Sequence, residues 1–328
     1  MGSDGKWITP LIEWHKQHRI PMPWRENPNA YRVWISEIML QQTRIEAVIP
    51  YYERFIKELP DVRALAEVEE DRLLKLWEGL GYYSRARNLK KAAVTVMQEH
   101  GGNLPADAEK LRKLSGIGDY TAGAIASIAF GLPEPAVDGN VLRVLSRLYA
   151  DSSDILLQKT KKAAITRLRK FYPTGENARL LTEGLMELGE RVCIPNGRPR
   201  CDRCPIREHC KAYAENTTEQ YPIRTPKKER RIEERTVYLL HHNGRYAIER
   251  RGEGLLSGMW QFPNELGHKS VQGEYLGKAK HIFSHVEWHM IGYRVESEKD
   301  ERYTWESPEI IREQYAIPKA FCAFLKKI

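Results

Sequence analysis

From Trp7 to about residue 215, apolar positions recur every three or four residues with polar positions between them, the period of amphipathic helices. The run 61–81, DVRALAEVEEDRLLKLWEGLG, keeps that spacing and ends in glycine. SRARNLKKAAVTVMQEHGG, 84–102, repeats it with a serine start and a double-glycine stop. DYTAGAIASIAFG, GNVLRVLSRLYA and a run through LLTEGLMELGERVC follow. No repeat of fixed length joins them, which favours a compact all-α bundle over a solenoid. Near residue 216 the pattern changes. YPIRTPKKERRIEER is polar, charged and carries two prolines, so 216–234 reads as a linker. TVYLLHH and RYAIERR then flank Asn243-Gly244, a tight-hairpin signal. GMWQFP, GEYLGKAKHIFSH and MIGYRVES read as further strands, and SPEIIREQ and PKAFCAFLKKI as helices, with Ser307 as N-cap and Pro308 in the first turn. The prediction is multidomain: an all-α domain over 1–215 and a small α+β domain over 235–328.

Composition changes this picture little. The 328 residues are 41% hydrophobic, enough to bury a sizeable core. No apolar run approaches the roughly 20 residues of a membrane span. The N-terminus lacks the pattern of a secretory signal. A soluble, intracellular protein, without a membrane and acting as a monomer, is expected. The net charge of +8 leans toward a polyanionic partner. Of five cysteines, four fall between 193 and 210, and such a cluster inside a cell points to metal rather than disulfides. Cys322 stands apart and reads as a buried small apolar side chain.

Candidate chemistry lies in five places. In LSGIGDYTAG, 114–123, Gly116 and Gly118 permit a tight turn between two helices. The helix-hairpin-helix so predicted, over 110–131, would offer backbone N–H groups to a DNA phosphate, with Leu114 and Ile117 plugged into the core. About 20 residues later, PAVDGNVLRVL places Asp138 where a carboxylate stabilises the positive charge of a sugar losing its base. Asp-Gly-Asn before a helix is also a common N-cap. In WISEIMLQQT, Glu37 lies among Ile35, Ile38, Met39 and Leu40, surroundings that raise a carboxyl pKa and suit a general acid. Periodicity alone favours an exposed glutamate on the polar side of an amphipathic helix there. Cys193, Cys201, Cys204 and Cys210 follow C-x7-C-x2-C-x5-C, a spacing open to an iron–sulfur cubane or to zinc, with several arginines nearby. In GLGYYSRARNLKKAA, Leu80 and Tyr82 either wedge into a base stack or line a turn that faces the core.

Together these motifs closely resemble the adenine DNA glycosylases of the MutY type, in the helix-hairpin-helix glycosylase superfamily. The likeness is dense from about Pro23 through Cys210, in PWR, YRVWISEIMLQQT, LWEGLGYYSRARNL, SGIGDYTAGAIASIAFG, DGNVLRVLSRLYA and LMELG, and looser afterwards, chiefly at SGMWQFP and HIFSHVEWH. It implies a helix-hairpin-helix glycosylase domain with a metal-cluster loop, then a Nudix-like domain. It implies removal of adenine lying opposite 8-oxoguanine or G in double-stranded DNA. By residue, it implies Glu37 as the acid on adenine N7, Asp138 on the sugar, and Tyr120 and Asn140 in support. Trp24, Arg25 and Glu183 match the adenine pocket. Gln42, Thr43, Leu80 and Tyr82 match positions that hold 8-oxoguanine and fill the stack. Ser284 and His285 match its contacts in the second domain. The four cysteines match ligands of a 4Fe-4S cluster. Tyr120 stands where strand-cutting relatives of the endonuclease III type carry a Schiff-base lysine, which implies a monofunctional enzyme. No Nudix hydrolysis box is present, so no pyrophosphatase activity is expected. The first cysteine gap holds seven residues where the family usually has six, and Leu181-Thr182 replaces a usual Phe-Asn pair. A thymine or uracil mismatch glycosylase, and a non-catalytic DNA-damage binding protein, remain as alternatives.

Overall fold

A computed structural model describes residues 5–26, 28–226 and 229–328. Their Cα atoms cluster into two compact units: residues of 1–67 with 88–226, and residues of 68–87 with 227–328. None of the described helices is long and apolar enough to cross a membrane.

The first unit is helical. Ile8–His18, Gly139–Tyr149 and Glu176–Arg191 bury a shared apolar face that includes Trp7, Leu11, Val141, Leu145, Leu148, Leu181, Leu185 and Leu188. The hairpin joins Ala108–Arg112 to Asp119–Ala124, with Leu114 and Ile117 buried as their spacing predicts. The second hairpin helix runs into a π-turn, Ile125–Ala129, where Ser127 Oγ donates back to the Gly123 carbonyl at 2.7 Å. Gly123 admits a close crossing: a Cβ there would lie 2.4 Å from the Pro135 carbonyl oxygen. Ser84–Glu99 ends at Gly101 and Gly102, both at positive φ, as the double-glycine stop predicts. The run 61–81 is not one helix. It breaks into Val62–Glu67 in the first unit and Glu70–Leu76 in the second, because Glu69 is extended at ψ 142°. The apolar stripe stays in phase across that break, so periodicity alone cannot see it.

The second unit is built on a seven-stranded sheet: β1 Arg231–His242, β2 Arg245–Arg250, β3 Trp260–Gln261, β4 Asn264–Leu266, β5 Glu274–Ile282, β6 Val286–Glu296 and β7 Thr304–Glu306. The main path runs β3-β2-β1-β6-β5, with β4 on β1 and β7 on β2. Asn243 and Gly244 both take positive φ and close the expected β1–β2 turn. β1 and β6 pair in parallel, from Arg231 opposite Val286 to His241 opposite Glu296. That long-range pairing recruits the charged residues 231–234, expected as linker, into strand. Phe324 lies on the bare backbone of Gly292 in β6, where a Cβ would come within 2.3 Å of its ring. Val237, Leu239, Phe262, Trp288, Met290 and Phe321 complete the core. Ser307 caps Pro308–Gln314 as predicted, accepting from the Ile310 N–H. Cys322, expected buried, is half-buried at the start of the short helix Cys322–Leu325.

A Gly123→Ala substitution therefore forces backbone apart and is expected to cost about 1–3 kcal/mol. Gly139→Ala, on a helix with nothing within 4 Å of the new Cβ, should be neutral or slightly stabilising. Urea midpoints that moved equally in the two variants would contradict this.

Candidate active site

A cleft of about 440 Å3 opens in the helical unit. Its walls come from Pro23–Glu26, Ala30–Leu40 and the turn after it, Asp119–Ala124, the start of Gly139–Tyr149, and Glu176–Arg191. Nine of the residues singled out from sequence line it: Trp24, Arg25, Glu37, Gln42, Thr43, Tyr120, Asp138, Asn140 and Glu183.

Glu37 is 6% exposed, so the solvated alternative does not hold. It projects from a helix whose other sides are buried by Tyr31, Trp34, Ile35, Ile38 and Met39. The Tyr120 hydroxyl donates to Glu37 Oε2 at 2.5 Å, a bond that favours the charged carboxylate. Burial outweighs it, with Asp138 and Glu183 adding repulsion, and the Glu37 pKa is pushed up to about 7. Asp138 is the N-cap that its sequence allows, and it also lines the cleft. Its Oδ1 caps Gly139–Tyr149 by accepting from the Val141 N–H at 2.8 Å, while Oδ2 accepts from Asn140 Nδ2 at 2.9 Å. Burial raises its pKa, against those hydrogen bonds and the nearby Arg143. Asn140 is itself fixed: Arg143 donates to its Oδ1 at 2.8 Å, and a Cβ on Gly189 would lie 2.7 Å from its Cβ.

Sequence reasoning passed over Ser36, Met186, Glu187 and Glu190, which also line the cleft, and His15, which stands behind it against Glu183 and Glu187. The pattern E-x3-E in TEGLMELG was the available signal, since it puts Glu183 and Glu187 on one helix face. Leu181 and Thr182 do not reach the cleft. Leu181 packs in the core, and Thr182 Oγ1 joins a buried hydroxyl chain with Ser127 and Tyr172.

Other expected residues fall elsewhere. Gly116 takes φ +76°, and its missing Cβ makes room for Asn88 at 2.7 Å. Gly118 has an ordinary φ of −92° and open space around it, so the turn does not depend on its flexibility; its bareness leaves the N-terminus of Asp119–Ala124 approachable. Leu80 is 7% exposed and faces inward, while Tyr82, at φ +48°, is 47% exposed. Within the second unit, Tyr82 and Ser284 line one cleft of about 370 Å3 with Leu256, Met259 and Phe283. His285 is exposed and pairs locally with Ser284 Oγ at 3.2 Å.

Cys193, Cys201, Cys204 and Cys210 line one small pocket. Arg147 donates to Cys193 Sγ at 3.2 Å and accepts at its carbonyl from Cys210 Sγ at 3.3 Å. Among the described residues, no three such side chains gather into a site for a single metal ion.

Two families account for these parts. Residues 35–173 match the HhH-GPD superfamily of base excision DNA repair proteins, and 235–327 match the NUDIX domain. The chain is 38% identical over 219 residues to the adenine DNA glycosylase of Buchnera aphidicola subsp. Acyrthosiphon pisum, covering 66% of this chain and 62% of that one. It is 36% identical over 267 residues to the adenine DNA glycosylase of Buchnera aphidicola subsp. Baizongia pistaciae, covering 80% and 74%. Among solved structures, a thermostable thymine-DNA glycosylase superimposes with a TM-score of 0.59 at 27% identity, over 65% of this chain and 97% of that one. The chain belongs to the adenine DNA glycosylase family.

The raised Glu37 pKa has a measurable effect on stability. In the unfolded chain the group titrates near 4.5 and in the folded chain near 7, so the folded state holds the extra proton between those values. The contribution is intact at low pH and is lost as pH rises toward and through 7. Glu37→Gln does not titrate. Its stability relative to wild type should therefore grow by about 2 kcal/mol between pH 5.5 and 8 in urea unfolding. A difference independent of pH would mean that the carboxyl is not perturbed.

Proposed function

We propose that the protein removes adenine mispaired with 8-oxoguanine or G in duplex DNA, by hydrolysing the bond between base and sugar. The observation that carries this is a buried Glu37, half-protonated near neutral pH, in the same cleft as a carboxylate held by hydrogen bonds at Asp138. Departure of a purine needs a proton on the base and negative charge near C1′, and a buried acid at Glu37 with a hydrogen-bonded carboxylate at Asp138 would supply both. In this reading Glu37 gives its proton to adenine N7. The C1′–N9 bond breaks with its electrons going to the base. Asp138 Oδ2 stabilises the positive sugar until water adds at C1′ and gives its proton to the Glu37 carboxylate, which restores the acid. Tyr120 orients Glu37 and has no amine with which to form an imine, so the enzyme is monofunctional. Trp24, Arg25 and Glu183 receive the extruded base. In the first unit Gln42 and Thr43 serve the DNA opposite the adenine and the hairpin around Gly116 and Gly118 meets a phosphate; in the second unit Tyr82 and Ser284 line the cleft assigned to oxidised guanine.

The four cysteines fit a 4Fe-4S cluster. They share one pocket, yet no three gather to the spacing of a single tetrahedral ion, and a cubane holds its thiolates further apart than zinc does. Such a cluster would brace the loop 193–210 through its iron–thiolate bonds. Purified protein should be brown with broad visible absorbance; a colourless, zinc-loaded protein contradicts the assignment.

The test of function is a strand assay on duplexes with A opposite 8-oxoguanine, A opposite G, T opposite G and U opposite G. Adenine release is expected. Because a thymine-DNA glycosylase shares the fold, release of T or U with A intact is the outcome that would overturn the reading. Asp138→Asn keeps an equally good N-cap residue, so it should fold normally, bind the mispair and release no base. Single-turnover rates should fall as pH rises through 7, when Glu37 loses its proton, and Glu37→Gln should lower them at least ~100-fold. Borohydride trapping through this site would refute the monofunctional assignment.

A further inference from the structure

We propose that His15 is a positioning residue for the base pocket: as an imidazolium it clamps Glu183 and Glu187, and so fixes the carboxylate that meets the extruded base. This rests on the placing of Glu183 in that pocket. His15 is 0% exposed on Ile8–His18 and does not line the cleft. Its Nε2 hydrogen-bonds Glu183 Oε2 at 3.1 Å, while its Nδ1 lies 3.1 Å from Glu187 Oε2 as an ion-pair contact outside hydrogen-bond geometry. A neutral imidazole has one N–H and one lone pair, so one of these contacts would set a lone pair against a carboxylate oxygen. Both attract only when each nitrogen carries a proton. Burial opposes that charge, but hydrogen bonds and charges from Glu183 and Glu187 outweigh it and hold the pKa above 6.5.

The two carboxylates are not equally supported. Glu187 also takes Arg191 at 2.8 Å, Arg25 Nη1 at 3.3 Å and the Ile20 N–H at 3.3 Å. For Glu183, Arg25 Nε stands off at 3.8 Å, and Arg179 adds attraction from further away. Among the described residues His15 is the hydrogen-bond partner of Glu183. The backbone is shaped to admit it: a Cβ on Gly184 would lie 3.2 Å from His15 Cβ. Without the imidazolium, Glu183 would be free to turn within the cleft, and misplacement of about 1 Å in such a group costs on the order of 100-fold in rate.

The test is a double-mutant cycle in single-turnover excision on a duplex carrying A opposite 8-oxoguanine. His15→Phe keeps a ring of similar size and removes both N–H groups. It should lower the rate constant by about 10- to 100-fold with the reacting fraction of enzyme unchanged. In a Glu183→Gln background the same substitution should cost less than about twofold, because its effect runs through Glu183. Equal losses in both backgrounds, or a reduced reacting fraction at an unchanged rate constant, would show a merely structural histidine and overturn the proposal. If His15→Phe does not fold, His15→Gln, which keeps one N–H donor without the charge, carries the cycle with the same criteria. Release of thymine or uracil with adenine intact would instead refute the functional reading, and the cycle run on the released base would still decide the role of His15.

Discussion

Keeping carboxyl groups out of water inside one cleft is the constraint that the helical unit answers to. An unpaired carboxylate in an apolar site is costly, and it escapes that cost by taking a proton or by gathering donors. Both solutions occur here within a few residues' reach of each other. Glu37 is buried among apolar side chains with one phenol as partner, and its pKa rises to about 7. Asp138 is given a backbone N–H and an amide. Glu183 and Glu187 are held against His15, Arg25 and Arg191. One fold thus shifts its carboxyl groups in opposite directions, Glu37 and Asp138 upward through burial and Glu183 and Glu187 downward, against burial, through their cationic partners.

What could be read beforehand follows from how local each signal is. Glu37 was visible because its apolar neighbours are adjacent in the chain. The hairpin was visible because Leu114, Gly116 and Ile117 are consecutive parts of one turn. Asp138 was ambiguous between cap and chemistry, and the ambiguity has a source in the molecule: one oxygen caps the helix while the other accepts from Asn140 in the cleft. The hairpin turn at Asn243-Gly244 and the cap at Ser307 were equally local.

The rest depended on contacts far apart in the chain. The Tyr120–Glu37 bond spans 83 residues and the His15–Glu183 pair 168, so no window of sequence contains either. The parallel pairing of β1 with β6 has no local signature and drew charged residues 231–234 into strand. The break at Glu69 was hidden because it keeps the apolar stripe in phase. The motif leaves Leu80 open between a base stack and the core, and packing places it inward, whereas Tyr82 two residues on stands exposed in a left-handed backbone conformation.

Arg143 ties two regions that the chain keeps apart. Its guanidinium donates to the Cys193 carbonyl at 2.7 Å, to the Gly189 carbonyl at 2.6 Å and to Asn140 Oδ1 at 2.8 Å, and Asn140 in turn holds Asp138. The cysteine-rich loop is therefore not a detachable ornament on the helical unit. It is one end of a linkage whose other end is the Asp138 carboxylate in the cleft. A shift of the Cys193 carbonyl would therefore remove one of the three acceptors that fix Arg143, two hydrogen bonds away from Asp138.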